Sequence, residues 1–597
     1  MKVIGISCFY HDSAVAYVKD GVLKAAAQEE RFSRVKHDPS FPFNSLGWIL
    51  DENNLKLSDI DCIAFYENPH LKLNRIKYSH IASWPNSFIN YKRDLNSQNF
   101  KFNIKNFIRK KVGFKGKIEF NNHHLSHAAS AFLLSPFKKS AILTIDGVGE
   151  FDTTTIGIGN KHDVEIIKKI KFPHSLGLLY SAFTYYCGFK INSGEYKLMG
   201  LAPYGSPKYT NLILENMIDI KADGSYRLNM KYFDHLSGRS SITSSFEELM
   251  TMKKRAPESE INEFYMDVAA SIQEVLEICV FKISKYIRNQ TKIDKLCMAG
   301  GVALNCVANG KLLKSKIFKD IWIQPASGDA GGALGAALLQ SSYASEIQRK
   351  YSFMNPYLGP EFSDNEIEIY LKRNEIPFKR SNNIYDEASD LLKEGKIIGW
   401  FQGKSEFGPR ALGNRSILGN PLISSIQRDI NLSVKFRESF RPFAPIIMEE
   451  KVSEWFEISV PSPYMLLVAN VKDSKKLNPI KDDQKGFAKL KVLRSIIPGV
   501  THVDYSARIQ TVNNSSNHEM YQLLKKFNEK TNCPVLINTS FNIRGEPIVL
   551  TPEDAYQCFI RTKINYLCIG SFIVNKSEIK ESELIKNDEW LKNFPLD

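Results

Sequence analysis

Residues 140–160 read SAILTIDGVGEFDTTTIGIGN: an apolar run, an Asp-Gly turn, then a threonine-rich run. Apolar runs of this length bounded by turn residues are strands. The same design stands at the start of the chain. There KVIGIS (2–7) reads as a strand, and AVAYVKDGVLKAAAQEE (14–30) reads as two strands joined at Asp20-Gly21, a good hairpin pair. Strand, Asp/Gly turn and strand thus occur near residue 4 and again near residue 142. The reading is a first region built from two related halves rather than a tandem repeat.

The glycine-rich stretches extend this region. MAGGVALNCVANGKL (298–312) and QPASGDAGGALGAALL (324–339) each read as strand, glycine turn and small-residue helix. A helix N-terminus with free N–H groups attracts anions. Gly300, Gly301 and Asn305 in one turn, Gly331 and Gly332 in the other, and Gly147 after Asp146 are therefore candidate phosphate contacts. Close helix–sheet packing would also call for glycines. Residues 260–288 carry apolar side chains at helical spacing and predict one long amphipathic helix.

The chain has 597 residues, more than one hydrophobic core usually serves, so two domains are expected. Proline, glycine, serine and charge mix around 345–362, which places the division as 1–350 and 351–597. In the second domain KIIGWFQG and CPVLINTSFN are strand-like, and YLCIGSFIVNKSEI reads as a closing strand before a charged tail. Hydrophobic content of 43% and charged content of 24% are ordinary for a globular protein. No apolar run reaches the roughly 18 residues of a membrane span. The start lacks a cleavage site, and the nine cysteines form no CxxC. A cytoplasmic protein without membrane association is the expectation. The net charge of +14 favours anionic partners, yet no RNA-binding signature accompanies it.

Two clusters carry chemistry. In NNHHLSHAASAF (121–132), His123 and His127 are four apart, so a helix would place them on one side. Either they bind one metal, or they merely begin a polar helix. With Asp146 and Asp329, which also fall at predicted turns, they make a mixed N/O set suited to iron, zinc or manganese. His11, beside Asp12 after the first strand, is a candidate general base; an Asx turn is the plainer reading. In the second domain Lys404, Arg410, Arg415, Lys435, Arg441, Arg508 and Arg544 interrupt otherwise apolar text, with Asn538 and Ser540 nearby. Basic residues in such text suit phosphate or carboxylate, or else salt bridges between domains.

Taken in order, HDSAVAYVKDG, AAQEERFSRVKHD, HHLSHAASAF, TIDGVGE, YKLMGLAPYG, GGVALN, GDAGGALGAA, FGPRALGNRSIL, FRESFRPFAP and NTSFNIRGEPIV resemble the O-carbamoyltransferases of the NodU/CmcH family over nearly the whole chain. The resemblance implies an α/β protein with two parts. The first is similar to the tRNA threonylcarbamoyltransferase subunit, on the actin-like, sugar-kinase and Hsp70 type of fold; the second is YrdC-like. It implies ATP, accompanied by Mg2+, and carbamoyl phosphate as co-substrates. A carbamoyl-adenylate would form in the second part, and the carbamoyl group would pass to a hydroxyl of a small sugar or natural product. It also implies His123, His127, Asp146 and Asp329 as ligands of a divalent metal, Fe(II), with His11 near the transfer centre. Arg410, Arg415, Lys435, Arg441, Arg508 and Ser540 would line the nucleotide and carbamoyl phosphate site, with Arg415, Lys435 and Arg441 at the reacting phosphate. No nucleic-acid partner is expected, and a homodimer is compatible with this reading. An actin-like sugar kinase or an RNA-associated threonylcarbamoylation protein are the rivals. The first leaves the histidine pair unexplained; the second calls for nucleic-acid binding that falls steeply with salt.

Overall fold

The computed structural model describes residues 1–88, 90, 91, 103–342, 352–477, 484–580 and 584. It divides into one unit of 1–33 with 37–354 and a second of 34–36 with 355–597. Residues 343–351, inside the expected boundary, lie outside the described residues, as does nearly all of the charged tail beyond 580.

The first unit holds two five-stranded sheets of identical topology. One is built from β1 (Lys2–Ser7), β2 (Ala14–Lys19), β3 (Val22–Gln28), β4 (Cys62–Phe65) and β5 (Lys117–Phe120), in the order β3-β2-β1-β4-β5. The other uses β6 (Lys139–Ile145), β7 (Asp152–Asn160) and β8 (Asp163–Lys171). After a small two-stranded sheet, β9 (Ile218–Ile220) and β10 (Tyr226–Leu228), come β11 (Lys295–Ala299) and β12 (Asp320–Ile323). Its order, β8-β7-β6-β11-β12, repeats the first. In each sheet the first three strands are antiparallel and the next two add in parallel. The halves are therefore duplicated, but their Asp-Gly turns are not equivalent: Asp20-Gly21 joins β2 to β3, whereas Asp146-Gly147 lies between β6 and β7, the counterparts of β1 and β2. The hairpin at Asp20-Gly21 has φ of +50° and +73°, the left-handed pair that such a two-residue turn needs. The long helix runs Glu263–Thr291.

Two small-residue helices connect the halves. The histidine helix (His123–Leu133) follows β5, and the glycine helix (Ala330–Ser342) follows β12. Each packs against the other half's sheet, the histidine helix on β6 and β11, the glycine helix on β1, β2 and β4, and both pack on each other. The approach is close enough to demand glycine. A Cβ on Gly335 would lie 1.8 Å from the Ser126 carbonyl oxygen. This crossing brings the N-termini of both helices beside the turns after β1 and β6.

The second unit is a nine-stranded mixed sheet. Its strands are β13 (Lys379–Arg380), β14 (Ile398–Phe401), β15 (Arg415–Gly419), β16 (Ala444–Met448), β17 (Leu467–Asn470), β18 (Ser506–Val512), β19 (Val535–Ser540), β20 (Tyr566–Ile569) and β21 (Phe572–Asn575). The order is β13-β21-β20-β14-β15-β19-β16-β18-β17. One expectation is corrected here. The closing segment is a hairpin of two strands, not one, because Gly570 (φ +52°) and Ser571 reverse the chain.

Candidate metal centre and cationic cluster

The four residues His123, His127, Asp146 and Asp329 converge, each offering a ligand atom within 4.8 Å of all the others. His123 and His127 come from the first turns of the histidine helix. Asp146 directly follows β6, and Asp329 directly precedes the glycine helix. The two imidazole Nε2 atoms face each other at 3.0 Å, and His123 Nε2 lies 3.0 Å from Asp146 Oδ2. Asp329 Oδ1 lies 3.7 Å from His123 Nε2 and 3.8 Å from His127 Nε2. Two facing lone pairs at that separation repel unless a proton or a cation stands between them. Ligands about 2.1 Å from one ion and about 90° apart lie about 3.0 Å from each other. All four are largely buried, and Asp329 Oδ2 is a buried oxygen with no hydrogen-bond donor. Burial alone would lower the His123 pKa, but Asp329 and Asp146 raise it to about 9. That field suits a positive charge, so the donor set fits a divalent metal.

Neighbouring groups hold the ligands in place. Gly301 N–H donates to Asp146 Oδ1 at 2.9 Å, and Ser175 Oγ donates to the Asp146 carbonyl at 3.1 Å. Glu150, which the sequence did not single out, accepts from His123 N–H at 2.9 Å and Asn68 N–H at 2.7 Å, placing a carboxylate at the N-terminus of the histidine helix. His124 turns away and pairs with Thr144 Oγ1 at 2.6 Å; burial holds it neutral.

His11 sits in the β1–β2 turn, where Phe9 and Asp12 adopt φ of +71° and +53°. Non-glycine residues in that region signal a locally imposed conformation. His11 Nε2 lies 3.9 Å from Asp329 Oδ2, and its ring is tilted 42° against Tyr10 with centroids 4.5 Å apart. Burial would lower its pKa, but the Asp329 and Asp12 carboxylates raise it to about 9; a divalent cation held by Asp329 would oppose the larger of these two effects and favour the neutral ring.

The glycines divide. Gly331 and Gly332 serve packing: a Cβ would lie 2.0 Å from the Ala326 carbonyl oxygen and 2.8 Å from the Tyr66 ring, respectively. Gly300 (φ +92°) abuts the Ile145 carbonyl. Asn305 caps the helix Cys306–Lys314 by accepting from Ala308 N–H at 3.0 Å and pairs with Gln273. Gly147 alone faces open space, with only a Leu178 methyl 4.0 Å from where its Cβ would lie. Gly300, Gly331, Gly332 and Asn305 thus each have a packing or capping role of their own.

In the second unit the basic residues are not equivalent. Lys435 is buried, and its Nζ donates to Ser540 O (2.6 Å), Ser540 Oγ (3.1 Å), Asn542 O (2.8 Å) and Asn542 Oδ1 (2.7 Å). Burial first, then Arg437 and Arg441, pulls its pKa well below the usual lysine range. Lys435, Arg437 and Arg441 therefore form a cluster of mutually repelling cations, which an anion would relieve. Arg437, not singled out in the sequence though it lies in the same FRESFR text, donates to Asn431 Oδ1 at 2.7 Å. Arg410, Arg441, Arg508, Ser540 and Arg544 are half-buried, and Lys404 is exposed. Asn538 is buried and donates to Gln510 Oε1 at 2.7 Å.

Arg415 departs from expectation. It is fully buried, stacked 3.6 Å from the Phe401 ring centroid. It donates to the carbonyls of Gln402 (2.7 Å), Gly403 (3.0 Å), Asn414 (3.2 Å) and Pro360 (3.2 Å). It braces the 402–414 loop instead of presenting open donors to phosphate. Arg415→Ala is expected to cost at least about 3 kcal/mol of stability, since an orphaned buried acceptor costs about 1–3 kcal/mol. Denaturant unfolding measures this; an unchanged midpoint would remove the bracing role.

These parts define a two-unit α/β enzyme with a buried two-histidine, two-aspartate centre in one unit and a cation cluster in the other. The chain belongs to the carbamoyltransferase family: residues 2–338 match the carbamoyltransferase N-terminus model and residues 389–576 the carbamoyltransferase C-terminus model. Its relatives place it in the NodU/CmcH group. An uncharacterized protein of Synechocystis sp. is 47% identical over all of both chains. Nodulation protein NolNO of Sinorhizobium fredii is 37% identical, over 95% of this chain and 79% of that protein. The 3'-hydroxymethylcephem-O-carbamoyltransferase of Amycolatopsis lactamdurans is 26% identical, over 91% and 94%. A solved HypF structure overlaps at TM-score 0.31 and 12% identity, covering 58% of this chain and 56% of that one; the fold class rests on the topology above. Among the described residues, no helix is long and apolar enough to cross a membrane.

Proposed function

We propose that the enzyme carbamoylates a hydroxyl of a small sugar or natural product, using ATP and carbamoyl phosphate. Hydrolysis of carbamoyl phosphate by one water gives inorganic phosphate and carbamate, a poor acyl donor. One of its oxygens bonds the α-phosphorus of ATP and pyrophosphate leaves. The acceptor hydroxyl oxygen then bonds the carbamoyl carbon, AMP leaves, and the hydroxyl proton passes to a base. The reading is carried by the presence of two separate charged centres, one in each family-matched segment. The Lys435, Arg437 and Arg441 cluster fits phosphate charge, and the His123, His127, Asp146 and Asp329 set fits a divalent metal. Such a metal, iron in this reading, supplies Lewis-acid stabilisation of developing oxygen charge when bound. The named relative that acts on a hydroxymethyl group supports an oxygen acceptor. Small-molecule acceptor, no nucleic acid and a cytoplasmic location complete the proposal.

His11 Nε2 takes the acceptor proton. A positioned base contributes about 10²–10⁴-fold, so His11→Asn should cut acceptor carbamoylation by that order while leaving metal content intact. Unchanged turnover would exclude His11. For the overall reading, purified protein should release pyrophosphate from ATP only when carbamoyl phosphate is present. ATP-dependent phosphorylation of a sugar without carbamoyl phosphate would instead establish a kinase.

A further inference from the structure

The turn that carries His11 is tied to a second histidine. His11 Nδ1 lies 2.9 Å from Asp12 Oδ2, and the other Asp12 oxygen lies 2.7 Å from His37 Nδ1. An ionised carboxylate only accepts hydrogen bonds. Burial would raise the Asp12 pKa, but the bonds from His11 and His37 override it and hold it well below the usual carboxylate range. With Asp12 ionised, both Nδ1 atoms carry the proton. For a neutral His11 this leaves Nε2 as the lone-pair nitrogen, and Nε2 is the atom on the side of Asp329.

His37 is itself held. Its backbone N–H donates to Glu30 Oε2 at 2.9 Å, and its φ is +58°. The backbone clamps the two segments together on either side of the contact. Phe9 N–H donates to the Pro39 carbonyl at 2.7 Å, and Ser13 N–H to the Asp38 carbonyl at 3.0 Å. Asp12 and His37, both non-glycine residues in the left-handed region, therefore meet across loops that fix them, as residues kept in strained conformations usually are.

We infer that His37 is a positioning residue: it pins the second oxygen of Asp12, and Asp12 in turn keeps His11 in the Nδ1–H tautomer with Nε2 free for the acceptor hydroxyl. A carboxylate fixing the tautomer of a catalytic imidazole is a known device, in which loss of the carboxylate charge leaves the wrong nitrogen protonated. Here the carboxylate needs its own anchor, and His37 supplies it. The inference rests on the reading of His11 as the proton acceptor.

The test reads tautomers rather than turnover. Long-range 1H–15N spectra are recorded on 15N-histidine-labelled protein loaded with zinc, whose filled d shell leaves nearby resonances sharp. The signals of His11 and His37 are assigned by their loss in single variants. In the unaltered protein both rings should be protonated at Nδ1. In His37→Phe, which removes the donor, His11 should become a mixture of tautomers while the remaining ten of the 12 histidines keep their shifts. His37→Asn, whose side-chain N–H mimics the Nδ1 donor, should restore the single Nδ1–H form. A merely structural His37 would give the same His11 tautomer in both variants, and that result overturns the inference. So does a His37 ring unprotonated at Nδ1 in the unaltered protein, the pattern expected if an ion sat among Asp12, Glu30 and His37. Should His37→Phe misfold, His37→Gln, which misplaces the donor, takes its place. Because no turnover is read, failure here is distinct from failure of the His11→Asn assay.

Discussion

The His127→Ala protein is expected to fold, to hold far less metal, and to lose acceptor carbamoylation while still releasing pyrophosphate from ATP and carbamoyl phosphate. Alanine keeps the helix, being its best former. It removes a buried Nε2 that stands 3.0 Å from His123 Nε2 and 3.6 Å from Asp146 Oδ2. Loss of a residue that merely supports a metal ligand typically costs 10–100-fold in metal affinity, so loss of a ligand should cost at least that. His123→Ala should behave alike, with a further loss of helix anchoring to Glu150 only if the backbone shifts. Elemental analysis of the purified variants and parallel assays of the two activities decide the matter. Full metal content would sink the ligand assignment. Loss of both activities in a folded protein would sink the division of labour between the two units.

The complementary change is Arg441→Ala. Pyrophosphate release should fall at least tenfold with metal content unchanged, because a charge-assisted contact to phosphate contributes about 1.5–3 kcal/mol and about 1.4 kcal/mol is a factor of ten. Lys435→Ala should do the same or more. It also frees four acceptors at Ser540 and Asn542, so folding must be checked by circular dichroism first. Arg441 is the cleaner probe, since it pushes on Lys435 electrically without filling that hydrogen-bond network. A variant with unimpaired pyrophosphate release would remove the cation cluster from the adenylation step.

Much of the first unit was legible in the chain. The Asp20-Gly21 hairpin, the threonine-rich strand after Asp146 and the 263–291 helix all depend on residues within a few positions of each other, and local turn chemistry and periodicity report such elements directly. The histidine pair was visible for the same reason, since i and i+4 share a helix face whatever the rest of the protein does. The closing hairpin was missed because a single Gly-Ser step is a weak signal inside a continuous apolar run. Arg415 was misjudged because an arginine in buried text reads alike whether its donors meet a ligand or the protein's own carbonyls; only the path of the 402–414 loop tells them apart.

By itself, then, the sequence determined the strands, the doubled half and the kinds of ligand the protein can offer. Tertiary structure alone decided that Asp329, at the start of one helix, faces His123, at the start of another, and that His37 reaches Asp12. The first meeting arises because each small-residue helix crosses to the opposite sheet, with Gly335 on the Ser126 carbonyl and Gly5 on the Ala333 carbonyl; the second arises because the Phe9 and Ser13 N–H groups bond the Pro39 and Asp38 carbonyls. Side chains distant in the chain come together through such packing, and backbone preferences, which act over only a few residues, carry no record of it.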